Sequence, residues 1–218
     1  MSNVDVINAL ARFTHDPLRF VYFAFPWGEG GLEGKTPSEW QIKELKAIRD
    51  GFKDAGEVIR TAVASGHGIG KSALVAWLVL WAISTREDTR GIVTANTETQ
   101  LITKTWAELS KWYSLFIGKD MFKVTATSIF SAQNEKEKTW RIDAIPWSKD
   151  NPEAFAGLHN QGNRILLIFD EASSIDNRIW EVAEGAMTDD NTEIIWSVFG
   201  NPTRNTGRFF DCFHKYRK

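Results

Sequence analysis

Ser65-Gly66-His67-Gly68-Ile69-Gly70-Lys71-Ser72 is the stretch on which the fold of this chain turns. Val58 to Ala64, just before it, has the short apolar character of a strand, and Lys71 to Ser84 is apolar over the length of a helix. A strand that runs through a glycine-rich turn into a helix builds a phosphate cradle. The glycines let the backbone curl until successive N–H groups point inward at anionic oxygens, and the helix N-terminus adds its partial positive charge. In such a loop the lysine, here Lys71, reaches the β- and γ-phosphates of a nucleotide, and the next hydroxyl, Ser72, takes a magnesium ion. Ser65 stands where the strict pattern has glycine, while Gly66 and Gly68 leave the loop free to close.

Strands and helices alternate on the C-terminal side of this loop. Gly91 to Ala95 reads as a strand and Glu98 to Tyr113 as a helix; Lys123 to Ile145 reads as two β segments around the polar loop Gln133 to Lys138. Ile165 to Phe169 is apolar on consecutive residues, as expected of a strand covered on both faces. A helix around Arg178 to Met187, a strand from Glu193 to Phe199 and a final helix from near Thr206 complete the chain. Such alternation implies parallel pairing through crossovers, hence a three-layer α/β fold with a mainly parallel central sheet and ligands at the C-terminal strand ends. On the N-terminal side, Val4 to Phe13 has the spacing of a short amphipathic helix. Phe20 to Trp27 is an aromatic stretch broken by Pro26, and Gly28 to Gly34 is a loop. Ser38 and Gln41 have capping-box spacing at the head of a helix whose apolar face is Trp40, Leu45 and Ile48. The division expected is a helical segment over 1–57 and a phosphate-loop core over 58–218.

Asp170-Glu171 closes the Ile165 strand, roughly 95 residues after the phosphate loop. An acid at that point completes a magnesium shell, and the next one polarises an attacking water. Asp170 is therefore the candidate metal ligand beside Ser72, and Glu171 the candidate general base. Taken alone, an Asp-Glu pair after a strand does no more than cap the following turn.

Composition narrows the classes. The chain has 218 residues, 43% hydrophobic and 25% charged, which suits one soluble α/β domain. No apolar run approaches the ~20 residues of a membrane span. The N-terminus lacks the pattern of an export signal. The single cysteine, Cys212, excludes an intrachain disulfide and a cysteine-built zinc site, in keeping with a reducing compartment. At a net charge of −2 any nucleic-acid contact has to be a local basic strip. The basic tail His214-Lys215-Tyr216-Arg217-Lys218 reads most simply as a solvated helix end. Ten tryptophans is a high count, and most of them are expected in the core.

With these motifs placed, the chain resembles the ATPase (motor) domain of tailed-bacteriophage terminase large subunits, over about Ser38 to Phe210. Trp40-Gln41 resembles the family's adenine-reading segment, Ser65 to Ser72 its P-loop, Ile168-Phe169-Asp170-Glu171-Ala172 its hydrolysis motif, and Gly200-Asn201-Pro202-Thr203 its coupling motif, which senses γ-phosphate. The resemblance implies a P-loop NTPase fold of the RecA/ASCE-like kind. It also implies a magnesium-dependent ATPase that drives double-stranded DNA into a procapsid. ATP would be held by Gln41, Ser65, Gly66, His67, Gly68, Ile69, Gly70, Lys71, Ser72 and Asn201, the metal by Ser72 and Asp170, with Lys71 and Glu171 catalytic. The implied partners are DNA, a portal protein, a small terminase subunit and a portal-held ring of identical subunits that are monomers in free solution. The implied setting is the host cytoplasm, with no membrane.

Plainer roles exist for some of these residues. Gln41 serves equally as the capping-box partner of Ser38. Asn201-Pro202 also reads as a turn after a strand, and His67 as a solvent-facing loop residue. The family's Arg-Gly pair, whose arginine acts on a neighbouring subunit's ATP, is missing: the stretch reads Phe155-Ala156-Gly157-Leu158-His159. Arg164, Arg178, Arg204 and Arg208 are the alternatives, and without such a cation the isolated domain is expected to turn over slowly. The family's metal-dependent nuclease half has no counterpart before Lys218, so a fragment of a longer protein is expected. Competing readings are a helicase-like core, for which a second lobe is lacking, and a small-molecule kinase, for which no arginine-rich lid follows the acidic pair. No Asn-Lys-x-Asp segment supports a guanine-binding switch.

Overall fold

The computed structural model describes residues 3–53, 58–66, 68–148, 155 and 157–216. Its strands are β1 (Ile59–Ala64), β2 (Arg90–Thr94), β3 (Phe122–Val124), β4 (Ser128–Ser131), β5 (Arg141–Ala144), β6 (Arg164–Phe169) and β7 (Glu193–Gly200). They form a seven-stranded sheet in the order β1-β7-β6-β2-β5-β4-β3. The first five in that order run parallel, and β4 and β3 are antiparallel additions at the far edge. The segment expected as two β runs thus holds three strands, its first run being the β3–β4 hairpin.

Side chains of β6 alternate between two cores. Leu166 and Ile168 pack with α1 (Asn3–Ala11), α2 (Pro17–Ala24), α3 (Glu39–Gly51) and α4 (Lys71–Thr85) on one face. Ile165, Leu167 and Phe169 pack with α7 (Asn177–Ala186) and with Phe209 of α8 (Arg208–Asp211) on the other. The molecule is therefore the three-layer α/β P-loop fold with a mainly parallel sheet. α4 governs one outer layer. Every residue from Leu74 to Thr85 is buried, so the helix is apolar all round and needs covering on its outer side as well as on the sheet. α1, α2 and α6 (Ala107–Leu115) supply that cover: Val6, Leu10, Phe20 and Val21 join the core of α4, and Trp112 meets Trp77 edge-on at 5.0 Å. Seven of the ten tryptophans are buried (Trp77, Trp81, Trp106, Trp112, Trp140, Trp180 and Trp196), as their bulk leads one to expect.

The aromatic stretch around Phe20 is mostly helix, with Asp16 capping Arg19 N and Pro17 in the first turn. The run from Glu98 is helical but not uniform: α5 (Glu98–Gln100) passes through a π-helical turn, Leu101–Trp106, into α6 (Ala107–Leu115).

Arg164 lies at the start of β6, the sheet end away from the phosphate loop, and is wholly buried. Its guanidinium donates to Glu193 Oε2 at 2.9 Å, Thr85 Oγ1 at 2.9 Å and the Thr14 carbonyl at 2.7 Å, and it stacks on Trp81 at 4.6 Å. Burial pushes its pKa down to about 10, against the opposing pull of Glu193. It ties the N-terminal segment to α4 and the sheet, so of the four arginines considered above it is the one that cannot reach out to a neighbouring subunit. Removing Glu193 strands this buried cation. Glu193→Ala is expected to lower unfolding free energy by about 3 kcal/mol, the low end for a broken buried pair because Glu193 keeps some solvent. Chemical denaturation of the two proteins measures the difference, and a loss below about 0.5 kcal/mol would contradict the strut.

Candidate nucleotide site

The turn from β1 into α4 is held from several sides before any ligand is considered. Ser65 N donates to the Gly200 carbonyl at 3.0 Å, which pins the entry of the loop to the end of β7. Gly70 precedes the helix with φ +91°, a left-handed conformation, and a Cβ there would lie 2.9 Å from Gln41 Nε2. The left-handed backbone favours glycine at Gly70, and a Cβ there would also displace the end of the Gln41 side chain. Gln41 closes the capping box of α3, its Oε1 accepting from Ser38 N at 2.8 Å, while its Nε2 donates to the Gly70 carbonyl at 2.9 Å. Trp40 Nε1 donates to the Ile69 carbonyl at 3.1 Å. The plainer role proposed for Gln41 is thus filled, and the same side chain also braces the phosphate loop. His67 lies outside the described residues.

Lys71 is buried and faces across the loop. Its ammonium donates to the carbonyls of Ser65 (3.2 Å) and Gly66 (3.0 Å) and to Asn201 Oδ1 (2.8 Å). The residues singled out at the phosphate loop and after the last strand therefore meet directly, although 130 positions separate them.

The acidic pair stands at the end of β6. Asp170 is buried; its Oδ2 accepts from Thr105 Oγ1 at 2.6 Å and its Oδ1 from Glu171 N at 3.0 Å. Burial raises the Asp170 carboxyl above the ordinary carboxylate range, with the Thr105 hydroxyl and Lys71 pulling the other way and Glu171 adding to the rise. Glu171 adopts φ +52° and ψ +40°, a left-handed backbone on a residue without glycine's freedom, at the head of the turn Ala172–Ser174. Such strain persists where surrounding structure imposes it, and it gathers at functional sites. Thr203 Oγ1 meets Ser173 Oγ at 3.2 Å, joining that turn to the loop after β7.

Between the two motifs lies a cleft of about 420 Å³ lined by Gly68, Gly70, Lys71, Ser72, Asp170 and Glu171, together with Gln100, Lys104, Thr105 and Glu108 from the helical run after β2. The Ser72 hydroxyl and the Asp170 and Glu171 carboxylates among its lining are hard oxygens of the kind magnesium takes beside phosphate. Thr105, Lys104 and Gln100 were not legible as site residues. The π-helical turn that carries Lys104 and Thr105 leaves no local motif, and only the crossover from β2 brings it alongside β6. Of the remaining arginines, Arg208 is paired with Glu184, and neither Arg178 nor Arg204 lines the cleft.

No family model matches the chain. In sequence it is 31% identical over 194 residues to the probable terminase large subunit of Enterobacteria phage P7, an alignment covering 84% of this chain and 36% of that protein. The chain thus spans about a third of the length of that relative. In fold it matches the crystal structure of the HK97 bacteriophage large terminase with a TM-score of 0.65 at 12% identity, over 93% of this chain and 40% of that one. It also matches the large terminase ATPase domain of Thermus phage P74-26 with a TM-score of 0.52 at 16% identity, over 83% and 70% of the two chains. The resemblance drawn from the motifs is met in both sequence and fold.

The backbone at Glu171 can be tested apart from any activity. Asparagine tolerates the left-handed region, so Glu171→Asn is expected to raise unfolding free energy by about 1 kcal/mol relative to Glu171→Gln. Both variants remove the same charge beside Asp170, and only one relieves the backbone. In a thermal melt that amounts to roughly 2–4 °C for a domain of this size. Equal melting temperatures for the two variants would show that the conformation carries no strain.

Proposed function

We propose that this chain, a relative of the phage terminase large subunits, is the ATP-hydrolysing motor domain of a machine that drives double-stranded DNA into a procapsid. The observation that carries the proposal is the convergence of Lys71, Ser72, Asp170 and Glu171 on one cleft from motifs far apart in sequence. In this reading the N–H groups from Gly66 to Ser72 cradle the triphosphate, and Lys71 leaves the carbonyls it holds to meet the β- and γ-oxygens. Ser72 and Asp170 would hold magnesium, which neutralises phosphate charge when bound. Glu171 accepts a proton from the attacking water as its oxygen bonds to the γ-phosphorus and the bond to the bridging β–γ oxygen breaks, releasing ADP and phosphate. Asn201, whose contact with Lys71 changes when Lys71 turns to the nucleotide, passes the change on to the loop at Pro202 and Thr203.

Residues 1–57 are the adenine-side segment in this proposal and 58–218 the catalytic core. Gln41 reads the adenine edge by swinging its amide away from the Gly70 carbonyl; Ser65, His67 and Ile69 complete the nucleotide's surroundings. DNA, a portal protein, a small terminase subunit and a ring of like subunits are the partners proposed, in the host cytoplasm. No helix among the described residues is long and apolar enough to cross a membrane.

Lys71→Ala is expected to abolish turnover and weaken ATP binding, while Glu171→Gln binds ATP with magnesium and does not hydrolyse it. Wild-type turnover should rise on adding double-stranded DNA. Phosphate-release assays with and without DNA measure all three, and normal hydrolysis by Lys71→Ala would overturn the reading. A separate comparison addresses base identity: Gln41→Ala should weaken ATP by ~1–2 kcal/mol more than GTP if the amide reads adenine. Equal losses in a titration of both nucleotides would leave Gln41 as a brace of the loop alone.

A further inference from the structure

We infer that Lys104 supplies, from within the same chain, the cation that meets the γ-phosphate of the bound nucleotide. The inference rests on the ATP reading above and deepens it, naming a residue that neither the phosphate loop nor the acidic pair contains.

The helical run from Glu98 starts just beyond the C-terminal end of β2, and its first turns pass beside the cleft. There the helix widens into the π-helical turn Leu101–Trp106. Single widened turns of this kind interrupt α-helices mostly at functional sites. Lys104 and Thr105, adjacent in sequence, both line the cleft on this turn. Thr105 reaches inward to the carboxylate of Asp170 at 2.6 Å and so fixes the depth at which the turn is seated. Lys104 stands next to it on the exposed rim, opposite the loop that would carry the phosphates.

Among the described residues the Lys104 ammonium makes no hydrogen bond or ion pair, whereas that of Lys71 makes three hydrogen bonds. Glu108, one turn further on, is not its partner: Glu108 Oε1 accepts from Lys111 Nζ at 3.1 Å and from Trp112 Nε1 at 2.8 Å. On the same wall Gln100 Oε1 is buried without a donor among the described residues. A buried acceptor of that kind is costly unless something donates to it, and a water carried in with phosphate would do so. Charge points the same way. Among the described residues Lys71 and Lys104 are the cations that line the cleft, against Asp170, Glu171 and Glu108, so Lys104 supplies half of the side-chain positive charge there. A lysine on a flexible stem at the rim can close over the terminal phosphate as a point charge. None of the four arginines considered from the sequence lines this cleft.

A cation that meets only the third phosphate separates triphosphate from diphosphate. Titrations of the full chain with a non-hydrolysable β,γ-imido ATP analogue plus magnesium, and with ADP plus magnesium, should be compared for wild type, Lys104→Ala and Lys104→Arg. Lys104→Ala is expected to weaken the triphosphate about tenfold and leave ADP unchanged, with Lys104→Arg retaining most of the preference. Lys71→Ala, which removes a cation from the loop itself, reports on the nucleotide site independently. If Lys71→Ala weakens binding while Lys104→Ala keeps the wild-type ratio of triphosphate to diphosphate affinity, the ATP reading stands and the role given to Lys104 is wrong. If the wild type binds neither nucleotide, the ATP reading fails and this inference with it. Lys104 is exposed, so circular dichroism melts of the variants should match wild type.

Discussion

The structure depends on a helix that cannot tolerate water on any side. From Leu74 to Thr85, α4 is buried throughout, so it must lie against the sheet and be roofed by α1, α2 and α6 at the same time. Both surfaces are large and apolar, and the helix has little freedom to slide or rotate between them. Its first residue is Lys71. The position and direction of the phosphate loop are therefore set by the packing of the chain's most apolar segment. Arg164 completes the anchorage at the other end, where it joins Thr14, Thr85 and Glu193.

Strand order then sets the distances within the cleft. β7 lies between β1 and β6, so the phosphate loop and the acidic pair are not on neighbouring strands. The end of β7 lies between them, which is why Asn201 reaches Lys71 at 2.8 Å. Gly200 and Thr203 contact the loop and the Ala172–Ser174 turn on either side. Three hydrogen-bonded contacts thus join Lys71 through Asn201 and Thr203 to Ser173, in the turn headed by Glu171.

Much of this could be read from the residues because it is local. The glycine-rich loop between a strand and a helix, the apolar run ending in Asp170-Glu171, and the Ser38–Gln41 spacing each state their geometry within a few positions. α2 is hard to read although Asp16-Pro17 is a helix start, because the aromatic residues after it obscure the periodicity. The β3–β4 hairpin reads as one run because its strands are only three and four residues long. Arg164 looked like an available cation, and nothing beside it in sequence shows that Glu193 and Trp81 enclose it. Thr105 and Lys104 were invisible for a related reason. Their meaning depends on how the crossover from β2 lands beside β6, which is settled by packing and not by any pattern around them.

Three departures from regular backbone meet at one place, while Asp88 and Asn191 are left-handed elsewhere in the chain. Gly70 is left-handed at the mouth of the loop, Glu171 is left-handed at the end of β6, and the helix from Glu98 is widened at Leu101–Trp106. All three border the same cleft, while the strands and helices that hold it obey their ordinary periods. Each irregularity re-aims one side chain or one peptide group: Gly70 presents its carbonyl to Gln41, the π-helical turn brings Thr105 onto Asp170, and Glu171 turns back over the carboxylate before it. At Glu171 a regular backbone would be the lower-energy choice taken alone, whereas glycine carries the left-handed conformation at Gly70 without that cost. The packed layers around the cleft hold these conformations in place, so the stability of those layers and the conformation of the cleft are parts of the same arrangement.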